Sequence, residues 1–117
     1  MKFENLEVWK RATRLCVEIY ATLQKLKDYG FKDQITRSAL SIPSNIGEGF
    51  ERSSQRDCLN FLSYAKGSCG ELRTQIYIAM EINYIDKETG SAWLQETLEI
   101  SQMIGGLMRT KRNFLSE

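Results

Sequence analysis

The sequence from Gln55 to Ile82, QRDCLNFLSYAKGSCGELRTQIYIAMEI, contains one uninterrupted apolar row. Its members recur at alternating intervals of four and three residues: Cys58, Leu62, Ala65, Cys69, Leu72, Ile76 and Ala79. This spacing is typical of helices that pack side by side along their length. Ser54 and Asp57 resemble a capping box, which places the helix start at about Gln55. The row therefore predicts a long helix that packs against other helices.

Three further segments show the same helical spacing of apolar residues. The first extends from about Leu6 to Leu26 with Asn5 as its N-cap, and the second from about Phe31 to Phe50. The last extends from about Lys87 to Arg112 and begins after Asp86 as its N-cap. Short turns between such helices make neighbours antiparallel. We therefore expect an all-α fold, with residues 1–117 forming a single domain whose helices are arranged as an antiparallel up-down-up-down four-helix bundle.

Two local features lower the helix propensity of these segments. Pro43 removes a backbone hydrogen bond, but the apolar row keeps its phase across it, so we expect a continuous, bent second helix. Gly67, Ser68 and Gly70 lie in the middle of the third helix, where each glycine costs about 1 kcal/mol relative to alanine. We explain this cluster by the close approach of a neighbouring helix at Ser38-Ala39.

Composition excludes several classes of protein. Apolar residues make up 42% and charged residues 26% of the 117 residues, and the formal net charge is +1, all of which suit a globular domain. No apolar run approaches the roughly 18 residues that a membrane-spanning helix needs. The first residues also lack the basic and apolar regions of a secretory leader. We therefore expect a cytoplasmic protein without membrane contact.

The sequence offers few residues for catalysis or metal binding. It contains three cysteines, Cys16, Cys58 and Cys69, and no histidine. Without histidine, neither a Ser-His-Asp arrangement nor a ferritin-like di-iron site can form, and no pair of cysteines has zinc-ligand spacing. Free cysteine is among the most buried residue types. We therefore expect three buried thiols, no cofactor, no metal, no small-molecule substrate and no enzymatic activity.

The first helix carries two apolar rows. Together they form an apolar face wider than the roughly 100° stripe of a simple surface helix. This helix is therefore either central or in contact with another subunit. The residues we expect at a subunit contact are Val8, Leu15 and Ile19. Trp9, Tyr20 and Trp93 we interpret as core or interface anchors rather than platforms for stacked bases.

Polar residues recur at helical spacing on the second and third helices. The set consists of Arg37, Ser44, Asn45, Glu48, Ser68, Glu71 and Gln75. Because buried polar groups need hydrogen-bond partners, we predict a network that fixes the register of the two helices. A subunit contact is the alternative. A pair of catalytic carboxylates at Glu48 and Glu71 is less well supported, since no nucleophile, base or metal ligand accompanies them.

Basic residues are concentrated near the two ends of the chain. The candidates for nucleic-acid contact are Lys10, Arg11, Arg14, Arg109, Lys111 and Arg112. The pI of 7.7 is below that of strongly basic nucleic-acid-binding domains. The competing interpretation is therefore that these basic residues form an ordinary solvated face. Several copies in one assembly would multiply a modest patch through avidity.

Several segments, in order along the chain, resemble one family, the bacterial 23S rRNA-intervening-sequence proteins. The matching segments are FENLEVW (3–9), QITRSALSIPSNIGEGF (34–50), FL (61–62), GSCGELRTQ (67–75) and YI (84–85). The second of these resembles the family signature Q-I-R-R-A-x-x-S-I-P-x-N-I-A-E-G. Gly47 stands where the family usually has alanine, and Asn83 replaces a turn glycine.

This resemblance implies a left-handed four-helix bundle that assembles into a ring-like homopentamer. It also implies a gene often carried within an insertion in large-subunit ribosomal RNA genes, and no catalytic residue carries over. A related protein, the accessory variability protein of diversity-generating retroelements, binds a reverse transcriptase and nucleic acid. Our first hypothesis is therefore a non-enzymatic, oligomeric interaction module that acts on RNA or on an RNA-handling protein. The alternative is a purely protein-binding scaffold without nucleic-acid contact.

Overall fold

The computed structural model describes residues 2–116, which form four α-helices and one short 3-10 turn at Phe3–Asn5. The helices are α1 (Glu7–Thr22), α2 (Tyr29–Glu51), α3 (Gln55–Glu81) and α4 (Lys87–Ser116). Within the described residues there is no strand, which confirms the all-α prediction. Both α1 and α3 pack against α2 and α4, so the four helices form a bundle that measures 49 × 22 × 19 Å.

Contacts between loops show how the helices alternate in direction. The hydroxyl of Tyr84 donates to Oδ2 of Asp28 at 2.6 Å, which joins the α3–α4 loop to the α1–α2 loop at one end. At the opposite end, Nζ of Lys111 near the end of α4 lies 4.8 Å from the ring centroid of Phe50 near the end of α2. We call this second end the Phe50 end. Neighbouring helices therefore run antiparallel, while the left-handed twist stays a prediction.

Helix starts follow local capping chemistry. Ser54 and Asp86 act as predicted, because the side chain of each accepts the backbone N–H of the third residue after it. Asp28 caps α2 in the same way at 3.1 Å, so α2 begins earlier than expected. The prediction of Asn5 as a cap is wrong: Leu6 occupies that position without a side-chain hydrogen bond, because the residues before it fold into the 3-10 turn.

The core is centred on the apolar row of α3. Every member of that row is at most 3% exposed. Trp93 from α4 is among the largest side chains packed against it, at 2% exposed, which confirms its role as a core anchor. The helix α2 continues through Pro43, whose ring is buried. The three cysteines are also buried, as expected.

The prediction that a neighbouring helix comes close to α3 at Gly67 and Gly70 is wrong. A Cβ atom added at either position would meet no atom within 4 Å, because the buried row turns both glycines towards solvent. The tight contact lies instead at Gly49 of α2. A Cβ atom there would come within 3.1 Å of Cβ of Phe61 and 3.2 Å of the carbonyl oxygen of Cys58. Glycine therefore allows α2 and α3 to meet closely where the loop joins them.

Candidate functional site

The polar residues of α2 do not form the predicted network with α3. Nε of Arg37 donates to Oδ2 of Asp33 at 2.9 Å, and Oε1 of Glu48 accepts from Nη2 of Arg52 at 3.0 Å. Both pairs are exposed ion pairs within or at the end of α2. Ser44 is exposed as well. Arg37 and Glu48 pair with residues one turn away, and Ser44 is exposed, so the network prediction is wrong for these three residues.

One hydrogen bond of the predicted kind does connect α2 with α3. Oγ of Ser38, a buried residue that the sequence-based set omitted, donates to Oε1 of Glu71 at 2.8 Å. Asn45 donates to the backbone of its own helix at 2.8 Å, and Ser68 is half-buried. Oε1 of Gln75 is enclosed and has no hydrogen-bond partner within residues 2–116. Among residues 2–116, one hydrogen bond between side chains, rather than a network, joins the two helices.

The predicted subunit contact on α1 is also wrong. Val8 and Leu15 are each 3% exposed and Ile19 is 0% exposed, because this row faces the interior of the single bundle. The exposed apolar residues of α1 lie on another side. They are Val17, which the apolar spacing did not single out, and Tyr20, with exposed fractions of 63% and 45%.

An open groove follows the outer side of the α1–α2 contact. We call it the α1–α2 groove; its volume is about 600 Å³, and its walls include Trp9, Thr13, Val17, Leu40 and Pro43. Oγ1 of Thr13 is enclosed there without a hydrogen-bond partner among the described residues. No sequence pattern indicates this groove, because periodicity identifies the buried row of each helix and not the space left between two helices.

Arg11 is already bound within the bundle. Its guanidinium donates to the carboxylates of Glu96 and Glu99 on α4, and its side chain is only 22% exposed. These hydrogen bonds raise the pKa of Arg11 and are the first cause of the lowered pKa of Glu99. The prediction that Arg11 contacts nucleic acid is therefore corrected: it is an internal ion-pair residue.

The remaining basic candidates lie towards the Phe50 end of the bundle, on two adjacent helices. Residues 6–8 at the start of α1 and one face of α4 line a common cleft, which shows that the two helices lie side by side there. The α4 residues of the cleft are Met103, Gly106, Leu107 and Thr110. Arg14 is exposed and lies 3.5 Å from the carboxylate of Glu7. We call the set the basic end: Lys10, Arg14, Arg109, Lys111 and Arg112.

The described residues contain no group of three or more histidine, cysteine, aspartate or glutamate side chains that could hold a metal ion. Burial raises the pKa of each cysteine thiol, and that of Cys69 reaches about 12. Thiols with such a pKa are protonated at neutral pH and are poor nucleophiles. Within residues 2–116, no helix is long and apolar enough to cross a membrane.

Comparisons with known proteins agree with the fold. The family described as 23S rRNA-intervening sequence protein matches residues 4–106. A solved structure from Bacteroides thetaiotaomicron, described as a protein with unknown function from the S23 ribosomal protein family, is similar with a TM-score of 0.81. The two chains are 25% identical over 86% of this chain and 97% of that chain. Among curated proteins, none matches.

Proposed function

We propose that this chain, which belongs to the 23S rRNA-intervening sequence protein family, is a non-catalytic helical module that assembles with copies of itself and contacts RNA. The observation that carries the RNA contact is the basic end, whose cations belong to α1 and α4, two helices that lie side by side towards the Phe50 end. Lysine and arginine side chains supply most phosphate contacts in nucleic-acid complexes. The affinity of such phosphate contacts depends on charge and not on the base sequence of the RNA.

Self-association is supported by the number of large apolar side chains that the single chain leaves exposed. Val17 and Leu40 flank the α1–α2 groove, and Phe114 and Leu115 lie near the end of α4, each at least 43% exposed. Contiguous exposed apolar surface commonly marks a protein–protein contact. Because the net charge of one chain is only +1, a single basic end binds weakly. An assembly would present several basic ends to one RNA and gain avidity.

RNA binding can be tested by charge reversal. The basic-end variant K10E/R14E/R109E reverses three charges, and the matched control K25E/K27E/K87E reverses three exposed lysines near the opposite end. Fluorescence anisotropy with a labelled, structured RNA at increasing salt measures both affinity and its salt dependence. We expect wild type and control to bind alike, while the basic-end variant binds more weakly, with a salt slope reduced by about 0.7–0.9 for each phosphate that the variant no longer neutralises.

Equal binding by the basic-end variant and the control would contradict a role for the basic end. It would favour the second candidate function, a scaffold that binds only protein. The specific observation behind this alternative is the α1–α2 groove, whose walls are mainly apolar. A scaffold of this kind would show no salt-dependent RNA binding even at low ionic strength.

A further inference from the structure

The α1–α2 groove combines exposed apolar walls with negative charge. The side chains of Val17 and Leu40 are 63% and 48% exposed. The groove is also lined by the carboxylates of Glu48 and Glu51, and by no lysine or arginine. Glu48 is paired with Arg52, whereas Glu51 makes no ion pair within the described residues. An occupant with apolar tips and positive charge would therefore complement this groove.

The last turn of α4 has those properties. Phe114 and Leu115 are 55% and 43% exposed, and α4 remains helical through both residues. Three basic residues precede them in the adjoining turn: Arg109, Lys111 and Arg112. We call residues 109–115 the α4 tail. Because Lys111 lies beside Phe50, the apolar pair is about one helical turn beyond the end of α2.

Groove and tail do not cover each other within one chain. The α4 tail continues its own helix at the Phe50 end, and its apolar pair is exposed in the same structure, as are Val17 and Leu40 of the groove. A second copy of the chain would supply each of them with the surface that the first copy lacks. The groove and the α4 tail both lie towards the Phe50 end of the bundle, since the groove is lined by Trp9 near the start of α1 and by Glu51 at the end of α2.

We propose that the α4 tail of one copy docks in the α1–α2 groove of another, an inference that rests on the self-association proposed above. Phe114 and Leu115 contact the exposed side chains of Val17 and Leu40, while Arg109 of the tail faces Glu48 and Glu51. Because groove and tail are different surfaces, the contact is heterologous: it repeats from copy to copy or is exchanged between two copies.

The surface next to the groove offers room for a contact larger than the tail alone. A stable interface buries about 800 Å² on each partner, more than two side chains supply. The α1–α2 seam continues into a second depression of about 600 Å³ whose walls include Tyr20 and Tyr29, 45% and 68% exposed. A copy that anchors its tail in the α1–α2 groove can extend its contact along this seam.

Cross-linking between two variants, each with one added surface cysteine, tests the contact directly. L40C protein mixed with F114C protein should give a disulfide-linked dimer under mild oxidation, and any disulfide between the two variants is intermolecular by construction. The native cysteines are buried, so their background is low. Y77C, at a residue that is 56% exposed on α3, replaces L40C in the matched control and should give little dimer.

Sedimentation of variants provides the second measurement. Deletion of residues 114–117 and the substitution V17E should each weaken self-association by about tenfold or more, while Y77E should not. Both substituted positions are exposed, and circular dichroism verifies that each variant keeps its helices. If wild type self-associates but the deletion does not weaken it and L40C fails to cross-link with F114C, docking of the tail is wrong while self-association stands. If wild type remains a 13.5 kDa monomer at all concentrations, both proposals fail.

Discussion

The guanidinium of Arg11 on α1 bridges to Glu96 and Glu99 on α4. Its Nε donates to Oε2 of Glu96 at 2.9 Å, and its Nη2 donates to Oε1 of Glu99 at 2.6 Å. The bridge spans the α1–α4 contact, which is the smallest of the four contacts between neighbouring helices. Bidentate arginine–carboxylate pairs that are shielded from solvent contribute more than ordinary surface ion pairs. This cluster is therefore expected to stabilise the closure of the bundle.

Replacement of Arg11 by methionine keeps an apolar stem and removes the charge, so R11M should lower the melting temperature at neutral pH. Hydrogen bonds from Arg11 and then from Gln95 hold the pKa of Glu99 below its ordinary value. A carboxylate with a lowered pKa in the fold stabilises it above the unfolded pKa, and that stability is lost as pH falls through the folded pKa. The difference in melting temperature between wild type and R11M should therefore shrink in acid.

Thermal unfolding followed by circular dichroism between neutral and acid pH measures this difference. R14Q is the matched control, because Arg14 is exposed and lies 3.5 Å from its carboxylate, so its melting temperature should stay close to that of wild type. An R11M protein that is as stable as wild type at neutral pH would show that the bridge does not hold α1 to α4.

The helices could be predicted from sequence because local chemistry determines them. The apolar row of α3 keeps its alternating intervals of four and three residues throughout, and all of its members are buried as that spacing requires. Ser54 and Asp86 cap the helices that follow them, because a side chain that accepts a backbone N–H acts only on its own turn. Asn5 failed as a cap because a neighbouring 3-10 turn, with no strong sequence signal, moved the helix start.

The surfaces could not be predicted in the same way. Periodicity shows that Leu15 and Ile19 are buried, but not whether the covering helix belongs to the same chain or to another. Polar spacing has a similar limit: Arg37 and Glu48 each pair with a residue four positions away on the chain. The one polar contact between α2 and α3 uses Ser38, which the sequence pattern indicated only as a small packing residue.

Alanine substitution should raise the stability of the protein at two glycines of α3 and lower it at Gly49 of α2. At Gly67 and Gly70 the new Cβ atom has open space, so G67A and G70A should each stabilise the protein by about 1 kcal/mol through helix propensity. At Gly49 the Cβ atom would press on Cβ of Phe61 and a backbone oxygen at 3.1 and 3.2 Å, so G49A should destabilise it. Urea unfolding measures the three values. A stabilised G49A would show that the helices separate without cost.

The hydrogen bond between Ser38 and Glu71 should be measurable by a double-mutant cycle. S38A removes a buried donor and E71A its acceptor, so each should lower stability by about 1 kcal/mol. E71Q retains an amide oxygen that can accept from Ser38 and should lower stability less. The two alanine substitutions should be non-additive, since they delete one shared contact. S44A, at an exposed position of α2, is the control; additive effects of S38A and E71A would show that the bond adds no stability.

The thiol of Cys69 should be unreactive in the folded protein. Its side chain is 0% exposed, and burial raises its pKa from 9.0 to about 12. In a variant that lacks the other two cysteines, labelling by a disulfide reagent should be slow in buffer and rapid in denaturant. Between these pKa values the unfolded chain releases a proton that the folded chain keeps, so stability should fall as pH rises through this window. C69A should show a shallower alkaline decrease in melting temperature than wild type. Rapid labelling of the native protein, at a rate near that of the denatured chain, would mean that the contact between α3 and its neighbours opens readily.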